Sequence, residues 1–203
     1  MSYIVTSIEK SDRGRRTLCL DDKIKLQLYA GEVREYGLKT GSQIPEEVYQ
    51  EILHEVLGKR ATKRAMHLLE RQEKTECQLR DKLRQNSYPR ESIEDAIAYV
   101  KRYHYVDDER YAKTFILYHQ EKRSRLRLKT DLQRRGIDGD IIDAALEEAF
   151  TADEREQIRE LLFKRRFPQN SGDEGEFRKN YQFLMRRGFK SSDILPVMKT
   201  MAQ

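Results

Sequence analysis

Tryptophan is absent from this 203-residue sequence, and proline (4), glycine (10) and cysteine (2) are scarce. Few prolines and glycines, with many Leu, Ala, Glu, Lys and Arg residues, favour helix over strand. Cys19 and Cys77 lie far apart and form no CxxC motif, which argues against a disulfide framework. The sequence therefore predicts a mostly α-helical chain.

Long apolar runs are also missing, since none approaches the roughly 20 residues that a membrane span needs. The N-terminus lacks the charged-then-apolar profile of a signal peptide. We therefore expect a cytoplasmic protein without membrane contact. Apolar residues make up 37% and charged residues another 37%, a composition that suits a thin, repeat-built body.

Catalytic signatures are missing as well. The sequence contains neither a GxxxxGK[ST] phosphate loop nor a GxGxxG turn. The four histidines do not have the spacing of metal ligands. They are His54, His67, His104 and His119. The acidic cluster Asp107-Asp108-Glu109 could hold metals in a nuclease, but it better fits a helix start, where the dipole favours carboxylates. We predict no enzyme activity, no cofactor and no metal, and a nuclease is a remote alternative.

A loose internal repeat occupies most of the chain. Five apolar or small positions recur at offsets of 49 and then 52 residues: Leu83, Ser87, Tyr88, Ile93 and Ile97; Leu132, Gly136, Ile137, Ile142 and Leu146; and Leu184, Gly188, Phe189, Ile194 and Met198. Tandem helical units of this kind stack on their neighbours and leave a long outer surface for a partner. The repeat therefore predicts a binding protein.

The expected fold is all-α, with three tandem three-helix repeats in an elongated, solenoid-like body and a small N-terminal β-ribbon. Three short β-type segments, Tyr3–Ile8, Arg16–Leu20 and Lys23–Leu28, predict the ribbon. A helix should begin at Pro45 and end at about Leu57. The predicted domains are residues 1–60 for the ribbon with short helices, then 61–106, 107–150 and 151–203 for the repeats.

Capping signals recur with the same period. Thr75 and Gln78 form a capping box, and Ser124 lies 49 residues after Thr75. In the third repeat, a helix should stop at Phe167-Pro168, before a polar loop over Gln169–Gly175.

The positive charge lies in the repeats. The formal net charge is +5; residues 1–60 are neutral, with ten basic and ten acidic side chains. Seven cations and one acid, Asp131, lie between Lys122 and Arg135, whereas the first repeat has Glu76, Gln78, Gln85 and Asn86 at matching positions. The helical scaffold therefore does not need these cations. The predicted basic strip comprises Lys122, Arg123, Arg125, Arg127, Lys129, Arg134, Arg135, Lys179, Arg186 and Arg187.

Such a strip would bind phosphates or carboxylates through charge, with an affinity that falls as salt rises. The alternative is a solvated helix face with one Arg127–Asp131 pair at i,i+4.

Four segments together resemble the RecX family of bacterial modulators of the RecA recombinase: Tyr36–Gly41, Thr75–Leu83, Tyr103–Ala112 and Leu132–Ile137. The resemblance implies a non-enzymatic monomer that binds the RecA filament, in contact with single-stranded DNA there. It also implies that the protein restrains ATP hydrolysis, strand exchange and co-protease activity. The alternative is a stand-alone helical nucleic-acid-binding protein that uses helix pairs such as residues 124–149.

Overall fold

A computed structural model describes residues 2–167 and 174–202. Pro168 and most of the predicted polar loop, residues 169–173, lie outside the described residues. The chain divides into two compact units, residues 1–107 and 108–203. The predicted fold class is confirmed, because most described elements are helices and the strands form one small N-terminal sheet.

The first unit begins with an antiparallel sheet in the order β3-β2-β1-β4. Its strands are β1 (Ser2–Lys10), β2 (Arg15–Leu20), β3 (Ile24–Tyr29) and β4 (Gln43–Pro45). The three predicted strands are confirmed. The fourth was missed because it has only three residues, too few to show alternation; its partner is the start of β1, where Tyr3 lies opposite Ile44.

The inner face of this sheet is a layer of leucines at alternate positions. Leu18 and Leu20 on β2 and Leu26 and Leu28 on β3 are fully buried, as expected when successive side chains point to opposite faces. They share one hydrophobic core with helical residues 52–57. A sheet of this size needs such a neighbour, because a small ribbon is marginally stable alone.

One helical stretch connects the sheet to the first repeat without a break. Helix α1 (Ala30–Glu35) precedes β4; α2 (Glu46–Glu51) then continues through a π-helical segment (Ile52–Gly58) into α3 (Lys59–Arg71). The predicted helix end at Leu57 is therefore wrong. A Cβ on Gly58 would lie 2.7 Å from Asp95 Oδ2, so this glycine permits close helix packing and does not end the helix.

Among the described residues, three sets of three helices follow one another along the chain. The helices after α3 are α4 (Glu76–Gln85), α5 (Arg90–Arg102), α6 (Asp108–His119), α7 (Arg125–Gln133), α8 (Gly139–Ala149), α9 (Glu154–Lys164), α10 (Glu174–Arg186) and α11 (Ser191–Met201). The sets are α3 to α5, α6 to α8 and α9 to α11. Each set buries a hydrophobic cluster of its own. The repeated leucines Leu83, Leu132 and Leu184 are all fully buried, which confirms the apolar repeat.

The predicted capping signals are confirmed. Thr75 Oγ1 accepts from the Gln78 N–H at 3.2 Å, and Gln78 Oε1 accepts from the Thr75 N–H at 3.3 Å. Ser124 Oγ likewise accepts from the Arg127 N–H at 3.2 Å. The middle helices α4, α7 and α10 each lead into a left-handed residue, with φ of 60° at Ser87, 76° at Gly136 and 85° at Gly188.

Candidate anion-binding surface in the second and third repeats

A cationic cavity of about 360 Å³ lies within the second unit, between the start of α7 and the end of α10. It is lined by Lys122, Arg123, Ser124, Arg127, Arg186, Arg187 and Phe189. Five of the ten residues predicted for the basic strip therefore meet at one place, and the described residues that line the cavity include no carboxylate.

On the α7 side of the cavity, two arginines contact the same carboxylate, that of Asp131. Arg123 contacts Asp131 at 3.0 Å and Arg127 contacts it at 3.3 Å. The predicted Arg127–Asp131 pair is thus confirmed, but the carboxylate is shared. The Asp131 side chain is only 10% exposed and that of Arg127 is 46% exposed, so the acid is held inside while the arginine faces solvent.

The two walls are fixed to each other by close backbone contact. Ser124 Oγ, which caps α7, also donates to the carbonyl oxygen of Arg187 at 2.8 Å. A Cβ on Gly188 would lie 2.8 Å from Ser124 Oγ, and the φ of Gly188 is +85°. Glycine therefore meets two requirements there, a left-handed backbone and an approach too close for a side chain.

Two of the predicted binding residues on α7 contact the next helix, α8. Arg125 pairs with Glu147 and donates to the Leu146 carbonyl. Lys129 Nζ lies 2.5 and 2.7 Å from the two carboxylate oxygens of Asp143. These contacts attach α7 to α8.

Arg135 also packs internally, with its guanidinium 4.4 Å from the centre of the Phe115 ring. Its Nε donates to the Tyr111 hydroxyl at 3.2 Å. Arg134 and Lys179 are exposed but do not line the cavity. The binding roles of all ten residues stay predictions, and the cavity separates five from the rest.

Burial and nearby cations both change the pKa of His119. Burial, and next the positive charges of Arg123 and Arg135, lower the pKa of His119. The imidazole ring packs edge-on against Phe115, with ring centres 4.4 Å apart. The pKa of His119 therefore lies below its usual range mainly because burial disfavours the charged imidazole, and the cations of Arg123 and Arg135 add to this effect.

The acidic cluster at residues 107–109 has the position expected for a helix start. Asp108 and Glu109 occupy the first turn of α6, and Glu109 pairs with Lys113 at 2.7 Å. Over residues 2–167 and 174–202, no group of three or more metal-ligating side chains comes together. Within the same ranges, no helix is both long and apolar enough to cross a membrane.

Two of the residues that line the cavity do not belong to the predicted basic strip. Ser124 and Phe189 line the cavity through the contact between repeats, which spacing along one helix does not reveal.

Elsewhere, in the first unit, the exposed tyrosines Tyr99 and Tyr103 lie 4.7 Å apart between ring centres, and Tyr105 is 6.3 Å from Tyr103.

Two family models match the three-helix sets. Residues 61–99 match the first three-helix domain of RecX, and residues 107–146 match the second. The chain is 33% identical over 163 residues to the "Regulatory protein RecX" of Caldanaerobacter subterraneus subsp. tengcongensis, covering 78% of this chain and 79% of that protein. The chain belongs to the RecX family.

Other RecX proteins agree in extent and in fold. The regulatory protein RecX of Clostridium acetobutylicum is 29% identical over 202 residues, which is 96% of this chain and 94% of that protein. A crystal structure of regulatory protein RecX aligns with a TM-score of 0.66 at 24% identity, covering 97% of this chain and 99% of that chain. RecX from Lactobacillus salivarius aligns with a TM-score of 0.64 at 21% identity, covering 71% of this chain and 96% of its own. RecX proteins are thus similar over nearly the whole chain, and the crystal structures share its fold.

Proposed function

We propose that this RecX-family protein binds the RecA nucleoprotein filament and inhibits ATP hydrolysis, strand exchange and co-protease activity by RecA. In this role it acts as a cytoplasmic monomer in recombination, DNA repair and the SOS response, without catalysis of its own. The observation that carries the proposal is the convergence of five cations on one cavity, in a chain of a family named as regulatory.

In the proposed mechanism, the three-helix repeats bridge successive RecA protomers. Helices of about 12 residues are about 18 Å long, so consecutive repeats provide contacts spaced along the filament. The exposed cations of α7 and α10 then face acidic RecA surface or DNA phosphates. Binding of this kind restrains the filament because each bridge opposes the movements between protomers that accompany turnover.

The test is ATP hydrolysis by RecA on single-stranded DNA, measured with and without a stoichiometric amount of this protein. We expect hydrolysis to fall. An unchanged rate with the folded protein would overturn the proposal.

A charge-reversal variant tests whether the basic surface is responsible. Arg127→Glu/Arg134→Glu/Arg186→Glu removes exposed cations but leaves Arg135 on the Phe115 ring. The matched control, Lys63→Glu/Arg71→Glu/Lys199→Glu, reverses three exposed cations outside the strip. Inhibition should be lost in the first variant and kept in the control, with both circular dichroism spectra unchanged. Equal inhibition by the two variants would move the binding face elsewhere.

A further inference from the structure

Helix α7 begins with cations where helices favour acids. Its first turn has no acidic side chain and carries Arg125 and Arg127. Two other helices follow the usual preference, with Glu76 in the first turn of α4 and Asp140 in that of α8. Cations at a helix N-terminus oppose the helix dipole. Arg125 offsets this cost through its contacts with Glu147 and the Leu146 carbonyl of α8, whereas Arg127 is exposed and lines the cavity.

Position 127 adds a second conflict with local stability. The equivalent residue of the first repeat, Gln78, accepts a hydrogen bond from the Thr75 N–H and completes the capping box. Arginine has donors only, so Arg127 cannot return this bond to Ser124. The second repeat therefore keeps half of the capping box and places a positive charge where the first repeat has an acceptor.

Arg127 lines the cavity together with four other cations, and one carboxylate near them, that of Asp131, is shared by two of the arginines. Arg123 and Arg127 share Asp131, while Lys122, Arg186 and Arg187 bring three more positive charges from the cavity walls. Like charges gathered around one cavity repel one another. An anion in the cavity would relieve that repulsion.

We propose that the cavity binds consecutive phosphate groups of a single nucleic-acid strand, without reading the bases. The inference deepens the proposed function, on which it rests for its biological setting, by naming phosphate as the ligand of the basic surface. Arginine guanidiniums bind phosphate oxygens in a bidentate manner, and a strand supplies negative charges in a row. Among the described residues that line the cavity, there is no Asn or Gln, the residue types that pair with adenine.

The nature of the lining favours phosphate over an acidic protein surface. The centres of protein interfaces are depleted in charged residues and are more apolar than their rims, whereas Phe189 is the one apolar residue among the described residues that line this cavity, and it is buried. The Ser124 contact with the Arg187 carbonyl and the close approach at Gly188 hold both walls in place before a ligand arrives. A preorganised polar site of this kind suits a compact, highly charged anion.

The experiment measures binding of the full chain to a fluorescein-labelled oligothymidylate of about 20 nucleotides, without RecA, by fluorescence anisotropy at several salt concentrations. The cavity variant is Lys122→Gln/Arg127→Gln/Arg186→Gln. It leaves Arg123 to compensate Asp131 and Arg187 on the Phe183 ring. The control, Lys63→Gln/Arg71→Gln/Lys199→Gln, loses the same charge at exposed positions outside the cavity.

We expect the cavity variant to bind about 10-fold more weakly or worse, and the slope of log K against log salt to become shallower by about 2, as for three lost phosphate contacts. The control should bind within about twofold of the original protein, since counterion release is local. Equal losses in both variants would overturn the site, because bulk charge would then explain the binding. Unchanged binding by the cavity variant would overturn it as well.

Two further measurements separate the remaining readings. If poly-L-glutamate competes as well as inorganic polyphosphate, the ligand is a protein carboxylate and not a phosphate. A strong preference among oligonucleotide sequences would overturn backbone recognition.

Inhibition of RecA distinguishes the two proposals: oligonucleotide binding without any effect on RecA contradicts the proposed function alone. Inhibition of RecA by a protein that does not bind the oligonucleotide contradicts the phosphate site alone. A thermal melt as cooperative as that of the original protein shows that the cavity variant is folded.

Discussion

Helices α4 and α7 occupy the same position in consecutive repeats and differ in almost every exposed residue. Both bury a leucine at the repeated position, Leu83 and Leu132, and both begin at a hydroxyl cap. At the third helical residue, however, α4 has the acceptor Gln78 and α7 has the cation Arg127. Packing therefore fixes the apolar positions, whereas the exposed positions are free to serve a partner.

The largest expected effect tests the shared part of this comparison. Leu83→Ala and Leu132→Ala should each destabilise their own unit by about 3 kcal/mol, because a cavity replaces a fully buried side chain. Urea unfolding followed by circular dichroism measures the loss. A cost below about 1 kcal/mol for either variant would mean that the two positions are not equivalent in packing.

The left-handed residue after the middle helix differs between repeats, and its replacement tests the close contact at Gly188. Gly188→Ala should cost about 2 kcal/mol, because alanine is strained at φ +85° and its Cβ would meet Ser124 Oγ. The equivalent residue in the first repeat is Ser87, with φ of 60°. Ser87→Gly should therefore stabilise its unit by about 0.5 kcal/mol. Thermal unfolding of both variants checks the opposite signs, and a neutral Gly188→Ala would argue against the close contact.

Exchanging the residues at the third helical position of α4 and α7 tests the effect of the capping box on stability. Arg127→Gln should stabilise the second unit by about 0.5 kcal/mol, since glutamine completes the capping box with Ser124 and removes a cation from the helix start. Gln78→Arg should destabilise the first unit by a similar amount. Urea midpoints measure both changes. A loss of stability in Arg127→Gln would show that the Asp131 pair outweighs the cap.

The smallest expected effect concerns the acids near the two helix starts. Burial raises the pKa of Glu154, whose carboxylate accepts from the Arg125 N–H at 3.0 Å. Burial alone would also raise the pKa of Glu76, but hydrogen bonds from Lys101 and Arg80 hold it below its usual range. The two acids should therefore affect stability with opposite dependence on pH.

The signs follow from proton linkage. Glu154 loses its proton more readily in the unfolded chain, so its contribution to stability falls as pH rises above the unfolded pKa of about 4.3. Glu76 contributes stability above that pKa, which is lost as pH falls. Relative to the original protein, Glu154→Gln should gain stability between about pH 4 and 7 and Glu76→Gln should lose it, each by less than about 1 kcal/mol after solvent screening. Urea unfolding at both pH values measures these differences, and parallel curves would contradict them.

Features that depend on neighbours in sequence could be predicted well. The capping box at Thr75, the cap at Ser124 and the leucine repeat each follow from residues within one turn or one helix. The continuation of the helix past Leu57 could not, because Gly58 is a weak local signal whose meaning depends on the approach of Asp95. The strand Gln43–Pro45 could not either, since its register comes from pairing with β1.

The candidate site shows the same division. Spacing indicates that α7 carries many cations, but it does not indicate that Arg125 and Lys129 are paired with α8 while Arg127 faces a cavity. Those assignments depend on acids 14 and 22 residues away in sequence, Asp143 and Glu147.

The sequence by itself determined the helical class, the repeated apolar positions, the caps and the number of positive charges in each repeat. These are local properties, set by side-chain chemistry and helical period. The tertiary structure decided which cations converge, because that depends on the contact of Ser124 with the Arg187 carbonyl and on the absence of a side chain at Gly188. Electrostatic interactions act through space, so a list of charges becomes a binding site only when packing brings the charges together.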